Sequence, residues 1–273
     1  MQLAFSDFLH RLPFYGLAVL CTDDAEVAAL AAGTPRQLMT YGTRADADVR
    51  AENIIADGGR MHFNLHLPRT DAPVAVTLAL PGLHNVLNAL AAAAVGWQLG
   101  VEAQSIARAF AQFGGVGRRF DHHGEIAVHG GHAMLVDDYG HHPRELAATF
   151  EAVRRGWPER RLVVGFQPHR YSRTRDLLDD FAEVLSGVDV LVLSDVYAAG
   201  ESPIANADTR ALARAIRARG RVEPVLVAAA SDIPAALGPL VGDGDLVLLA
   251  GAGDISHVAQ DLAALRSLPG AAS

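Results

Sequence analysis

The 273-residue sequence contains no lysine; all 23 of its basic residues are arginine. Such a chain can hold no lysine-bearing phosphate loop, no Schiff-base lysine and no lysine general base. Cysteine is almost as scarce. Cys21 stands alone, which excludes an internal disulfide and fits a reducing compartment, and it reads as a small buried apolar residue at a strand end. The arginines are outnumbered by 31 acidic residues, for a formal net charge of -8, and no long block of like charge occurs. Nucleic acid is therefore not an expected partner, because neutralising phosphates takes a basic face. Long apolar runs are missing too. Residues 3–20 are interrupted by Asp7, His10, Arg11 and Pro13, short of the roughly 18 to 20 apolar residues of a membrane-spanning helix, and no signal-peptide pattern precedes them. The chain reads as soluble and cytoplasmic, with no membrane partner.

Half of the residues are hydrophobic, enough for one large or two moderate domains. Leu3, Phe5, Phe8, Leu9 and Leu12 recur at helical spacing, as in an amphipathic helix whose upstream context is absent. A short apolar run at 16–21 then leads through Thr22 or Asp23, either able to cap a helix reaching Leu30. Strands are expected at 37–42, 48–56, 60–67 and 73–79, and helices at 84–99 and 103–113. The run Gly114-Gly115-Val116-Gly117 is the clearest linker signal. Beyond it the pattern predicts a hairpin (120–128 and 132–138), then helices near 143–156, 173–186, 208–219 and 231–240 alternating with strands near 161–166, 188–194, 223–228 and 245–250, and a last helix at 255–267. Short, continuously apolar strands such as 162–166 imply a parallel sheet buried on both faces. The second half should therefore be a doubly wound α/β domain with its site at the carboxyl ends of the strands.

Polar clusters fall at those ends. They are Asp137-Asp138-Tyr139-Gly140-His141-His142-Pro143, then Gln167-Pro168-His169-Arg170-Tyr171-Ser172-Arg173-Thr174-Arg175, then Ser194 to Glu201, and adjacent strands would bring them into one cleft. Arg170 and Arg173 offer planar forks suited to a carboxylate or phosphate, whereas Arg175 reads as a solvated loop residue. Only one of Asp137 and Asp138 should face the cleft, since successive strand residues point opposite ways. His122, His123, His129, His132, His141 and His142 invite a metal-dependent hydrolase as an alternative, although no zinc motif is present and an exposed histidine-bearing hairpin explains the first four. Gly251-Ala252-Gly253-Asp254-Ile255-Ser256 approaches a dinucleotide fingerprint but reads better as a tight strand-to-helix turn. Asn85 and Asn88, on one helix face, can read an adenine edge or act as plain caps.

The segments 81–88 (Pro-Gly-Leu-His-Asn-Val-Leu-Asn), 117–120 (Gly-Arg-Arg-Phe), 137–143 and 166–174 occur in the order and spacing of the Mur ligases. The His-His-Pro and Gln-Pro-His-Arg-Tyr forms resemble the L-alanine-adding branch of that family. The resemblance covers nearly the whole chain, and it implies an ATP- and Mg²⁺-dependent ligase joining L-alanine to the lactyl carboxylate of UDP-N-acetylmuramate through an acyl phosphate, an early step of peptidoglycan synthesis. It also implies an α/β fold in two pieces: 1–117 as the back half of the central ATPase domain and 118–273 as a doubly wound, mostly parallel, Rossmann-like C-terminal domain. The phosphate loop and the Mg²⁺ ligands would lie in a missing N-terminal part, leaving this chain inactive alone. By the same resemblance His84, Asn85 and Asn88 meet the adenine, Asp138 the ribose, and Arg119 or Arg118 the nucleotide at the interdomain hinge. Tyr139, His141, Arg170 and Arg173 hold L-alanine and the acyl intermediate, and no residue of this chain is expected to ligate a metal. A non-catalytic nucleotide or amino-acid binding module that needs a partner chain is the other alternative. Self-association through an exposed edge of the central-domain sheet is a further expectation.

Overall fold

The computed structural model describes residues 2–271 and divides the chain into two compact units, 1–114 and 115–273. In the first unit, helix α1 (Gln2–His10) precedes β1 (Leu17–Cys21), α2 (Ala25–Gly33) and β2 (Gln37–Gly42). Strands β3 (Val49–Asp57), β4 (Arg60–His66) and β5 (Val74–Leu78) and helices α3 (Leu83–Gln98) and α4 (Ala103–Gln112) complete it. The five strands lie in chain order, β1, β2 and β3 parallel and β3, β4 and β5 antiparallel. Residues alternate along β4 so that Met61, Phe63 and Leu65 face the core, where Val86, Leu90, Ala93 and Ala94 of α3 and Ile106 of α4 cover them. The cap of α2 is Asp24, whose carboxylate accepts the amides of Glu26 and Val27, and not Thr22 or Asp23. Asp23 is taken by the Thr43 amide and hydroxyl. Cys21 is only half-buried. The stripe expected on α1 buries Leu9 but leaves Phe5 and Phe8 exposed, and the side chain of Leu3 lies outside the described residues.

The second unit comprises β6 (Asp121–Val128), β7 (Gly131–Asp138), α5 (Pro143–Gly156), β8 (Leu162–Phe166), α6 (Tyr171–Asp176), α7 (Leu178–Leu185) and β9 (Val190–Leu193). It continues with α8 (Thr209–Ala218), β10 (Val225–Leu226), α9 (Ile233–Leu237), β11 (Leu246–Ala250) and α10 (Ile255–Leu265). Its sheet order is β10-β9-β8-β11-β7-β6, parallel except for β6, which runs antiparallel to β7. One face is covered by α5, α7 and α8 through Leu146, Phe150, Phe181, Leu185, Leu212 and Ile216. The other is covered by α9 and α10 through Ile233, Leu237, Ile255, Val258 and Leu262. This is the doubly wound arrangement that the apolar strands predict.

Three elements differ from expectation. The helix expected at 173–186 breaks at Leu177, whose φ of -121° is not helical. The strand expected at 223–228 shrinks to two residues, with Pro224 denying the ladder an amide. The helix expected at 231–240 is a 3₁₀ turn (Ala230–Asp232) followed by the short α9, with a proline in its first turn.

Gly165, mid-strand in β8, is closely packed against apolar side chains. A Cβ there would lie 2.7 Å from Leu249 Cδ2 and 2.9 Å from Ile233 Cγ2. Gly165→Ala should therefore cost about 1–3 kcal/mol in urea denaturation, while Gly33→Ala, with nothing within 4 Å of the added carbon, should leave stability within about 1 kcal/mol of the parent.

Candidate active site

Threading of β11 between β7 and β8 sets the site. The ends of β7 and β8 are therefore not neighbours, as a simple succession of strands would have made them. The turn after β11 sits between them instead. Gly251, with φ of 150°, donates its amide to Asp138 O at 3.1 Å, a backbone conformation that favours glycine. On the β8 side, Gln167 spans the turn, its Nε2 donating to Asp254 Oδ1 at 2.6 Å and its Oε1 accepting from Ile255 N at 3.2 Å. The glycines thus serve a tight strand-to-helix turn that allows close packing, and a side chain at Gly253 would collide with Gln167 and the Tyr197 ring.

At the end of β7 both aspartates are buried. Asp138 Oδ2 accepts from Phe120 N at 2.8 Å and Oδ1 from Gly140 N at 2.7 Å, with Thr149 Oγ1 at 3.4 Å. It clamps the chain entering β6 to the chain leaving β7, and burial outweighs those bonds to push its carboxyl above the ordinary range. Asp137 is 1% exposed. Its Oδ2 lies 3.8 Å from Arg118 Nε and its Oδ1 has no hydrogen-bond partner. Burial, opposed by the charges of Arg118 and His123, raises its carboxyl to about 6. Both aspartates are thus buried, and they meet different neighbours: Asp138 the Phe120 and Gly140 amides, Asp137 the Arg118 side chain.

Arg118 and Arg119 differ in freedom. Arg118, in the left-handed backbone region (φ 63°), donates to Gly251 O at 2.9 Å and lies 4.7 Å from the Tyr139 ring centroid. Arg119 lies 5.5 Å from the same ring and 3.9 Å from Glu145, with its side chain 54% exposed. A continuous line of rings runs from there. Tyr139 meets His141 edge-on at 5.2 Å, His141 lies 5.7 Å from His169, and His169 stacks on Tyr197 at 5.5 Å.

His141 Nδ1 lies 2.9 Å from Tyr139 O and 3.4 Å from Glu145 Oε2. Glu145 also accepts the His141 and His142 amides, and His142 caps α5. Across the cleft Arg173 Nη1 contacts His169 Nδ1 at 3.3 Å and His169 O at 3.2 Å. Burial and then the Arg173 charge hold the His169 imidazole below its ordinary value. Arg170 stands at the start of α6 with φ of 73°, its Nη1 3.7 Å from Glu201 Oε1. Glu201 also accepts the Ser172 amide and hydroxyl, which holds its carboxyl below the ordinary range.

The structure therefore brings Arg118, Arg119, Asp138, Tyr139, His141, Arg170 and Arg173 to one end of one sheet. Sequence reasoning gave no role to His169, Tyr197, Glu145, Glu201 or Gln167, although all but Glu145 stand in the clusters that mark the strand ends. Arg175 pairs with Asp176 at the surface. In the first unit Gly82 precedes α3 with φ of 92°, and Asn85 Nδ2 donates back to Pro81 O at 2.7 Å. Asn85 is therefore not an N-cap. Asn88 Nδ2 lies 3.4 Å from Asn85 Oδ1, and His84 shares their turn.

The histidines and aspartates do not converge. Among the described residues no three His, Cys, Asp or Glu groups could hold a metal ion, so the metal-dependent hydrolase loses its ligand set.

Two family models match the chain: the Mur ligase middle domain over residues 2–96 and the Mur ligase glutamate ligase domain over 118–253. The chain belongs to the Mur ligase family. The UDP-N-acetylmuramate--L-alanine ligase of Xanthomonas campestris pv. campestris (strain B100) is 63% identical over 264 residues, which are 96% of this chain and 55% of that protein. Its counterpart in Xanthomonas oryzae pv. oryzae (strain PXO99A) is 62% identical with the same coverage. The Mur ligase chain thus spans about half the length of the curated relatives it matches. Among solved structures, the UDP-N-acetylmuramate-alanine ligase of Thermotoga maritima shares the fold with a TM-score of 0.73 at 24% identity, over 97% of this chain and 54% of that one. A murein peptide ligase from Psychrobacter arcticus does so with a TM-score of 0.67 at 20% identity, over 97% and 54%.

The buried Asp137 of this Mur ligase chain gives a pH signature. Its carboxyl is harder to ionise folded than unfolded, so its stabilising difference is complete below the ordinary carboxylate range and is lost as pH rises through about 6. Asp137→Asn should gain on the order of 1–3 kcal/mol over the parent near pH 8 and nothing near pH 4. Denaturation at both pH values checks this, and equal differences at the two would contradict it.

Proposed function

We propose that the chain supplies the amino-acid-binding and part of the nucleotide-binding machinery of an ATP-dependent ligase that adds L-alanine to UDP-N-acetylmuramate. The observation that carries this reading is the gathering of Arg170, Arg173, His141 and Tyr139 at the carboxyl end of one parallel sheet, in a chain 63% identical to proteins named for that activity. The lactyl carboxylate attacks the γ-phosphate of ATP, the amine of L-alanine attacks the resulting acyl phosphate, and phosphate leaves. Chemistry of this kind rests on positioning and charge neutralisation.

Residues 118–273 act as the amino-acid-binding domain and 1–117 as the back half of the ATP-binding domain. Arg170 and Arg173 form the fork for the amino-acid carboxylate. Arg119, the freer of the hinge pair, reaches the nucleotide, while Arg118 is held by Gly251, Tyr139 and Asp137. Asp138 Oδ1 accepts from Gly140 N and Thr149 Oγ1, whereas Oδ2 accepts from Phe120 N alone, and its second lone pair is left for a ribose hydroxyl. Asn85 and Asn88, with His84, present amides to the adenine.

The β- and γ-phosphates need a cradle that a lysine-free chain does not provide in the usual form, and that cradle and the Mg²⁺ ligands come from elsewhere in the working enzyme. This one observation also favours the second reading, a module that functions only with a partner chain. No helix among the described residues is long and apolar enough to cross a membrane, in keeping with work in the cytoplasm on soluble precursors. Strand β1 lies at the end of its sheet, the edge at which self-association or pairing with another segment would occur.

The purified 273-residue protein given ATP, Mg²⁺, L-alanine and UDP-N-acetylmuramate should release no L-alanine-dependent phosphate, and robust turnover would reject the division of labour. In the assembled ligase, Arg170→Ala should raise KM for L-alanine at least about tenfold, as expected for loss of a charge-assisted contact, with KM for ATP little changed. Equal effects on both would reject the carboxylate fork.

A further inference from the structure

The two facing histidines are held in opposite protonation patterns by partners that leave no choice. A carbonyl oxygen only accepts, so His141 Nδ1, 2.9 Å from Tyr139 O, carries the proton, with Glu145 Oε2 close by at 3.4 Å. The neutral ring then has its lone pair on Nε2. A guanidinium only donates, so His169 Nδ1, 3.3 Å from Arg173 Nη1, accepts, and the neutral ring has its proton on Nε2. The ring centroids lie 5.7 Å apart, so a ring with a lone pair on Nε2 stands beside a ring with an N–H there.

We infer that His141 is the base that takes the proton from the α-ammonium of the incoming amino acid, and that His169 is a neutral hydrogen-bond donor to the oxygen that gains charge when the amine attacks. The inference rests on the ligase reading for its substrate and adds the acid–base roles. The step balances. The ammonium N–H bond breaks and its proton goes to His141 Nε2. The freed nitrogen lone pair forms the bond to the acyl phosphate carbon, and the C–O bond to phosphorus breaks. Phosphate departs with the second proton of the attacking nitrogen, and His141 returns its own proton to solvent. Each contact fits its role. The amine must lose a proton before it is a nucleophile, and an N–H aimed at the oxygen stabilises the charge that oxygen gains. The charged groups facing the pair are Glu145 from α5, Arg119 from the hinge, Arg170 and Arg173 from α6, and Glu201 beyond β9. Tyr139 and Tyr197 close the two ends of the line of rings.

Two measurements test it. In histidine-labelled 273-residue protein at alkaline pH, ¹⁵N NMR of the imidazoles should show the Nδ1–H form for His141 and the Nε2–H form for His169. Arg173→Met should release only His169 to a mixture. Two rings in the same form would overturn the assignment. In the assembled ligase, His141→Asn keeps a donor for the Tyr139 carbonyl but removes the base. Turnover near neutral pH should fall about 100-fold and then climb with the fraction of free L-alanine amine as pH rises. His169→Ala should be slower at every pH with the parent's profile shape. A His141→Asn profile that also keeps the parent's shape sinks the base role. An assembly that ligates no L-alanine while the opposed ring forms are present defeats the ligase reading and supports the assignment of the ring protons.

Discussion

Parallel pairing of β11 with β7 on one side and β8 on the other is the contact on which the second unit depends. Leu246 to Ala250 register against Met134 to Asp138 and against Leu162 to Phe166, and all five residues of β11 are buried. A strand with two parallel neighbours and a helical layer on each face has no solvent-facing side, which is why its sequence is uniformly apolar. The insertion also sets the spacing of everything above it. The loops after β7 and β8 stand two strands apart, at the place where the chain's winding order reverses and open α/β sheets bind ligands, and the glycine turn after β11 forms the floor between them.

Above that floor the electrostatics divide into buried and exposed halves. Asp137 and Asp138 lie inside and serve the backbone and Arg118, so the entry to this unit at 118–120 is held from beneath. The arginines, histidines and tyrosines lie above, where guanidinium groups pair only loosely, at 3.7 Å for Arg170 with Glu201 and 3.9 Å for Arg119 with Glu145. Contacts that long are weak in themselves and are readily exchanged for a ligand carboxylate or phosphate. The left-handed backbone at Arg170 is held by the Tyr197 carbonyl, which accepts its amide at 2.8 Å, an arrangement that costs energy and is maintained by the surrounding bonds.

The doubly wound architecture was legible because buried parallel strands such as 162–166 and 246–250 have no polar positions, and the strand-end clusters were legible because such folds keep their polar chemistry there. The long-range order of strands was not. Nothing local in Leu246 to Ala250 says that the last strand enters the middle of the sheet, so the succession of strand ends suggested a neighbouring pair where a third strand intervenes. Asp24 was passed over as a cap because Thr22, Asp23 and Asp24 are chemically equivalent candidates, and only the distant Thr43 decides which one is otherwise engaged. His169 went without a role because its significance lies in a ring nitrogen facing Arg173, a pairing one turn of helix away whose meaning depends on donor direction. The histidines of the hairpin misled in the opposite sense: His122, His129 and His132 are exposed, and density in sequence did not become convergence in space.

The exclusive use of arginine has a consequence for the chemistry proposed here. An acyl phosphate is an indiscriminate acylating agent toward amines, and a lysine beside the cleft would compete with the amino acid for it. Guanidinium groups stay protonated at all physiological pH and are poor nucleophiles. On the proposed reading the arginines that would grip the reactants are inert to the intermediate they would stabilise, and a lysine-free chain offers no side-chain amine to compete with the substrate's own.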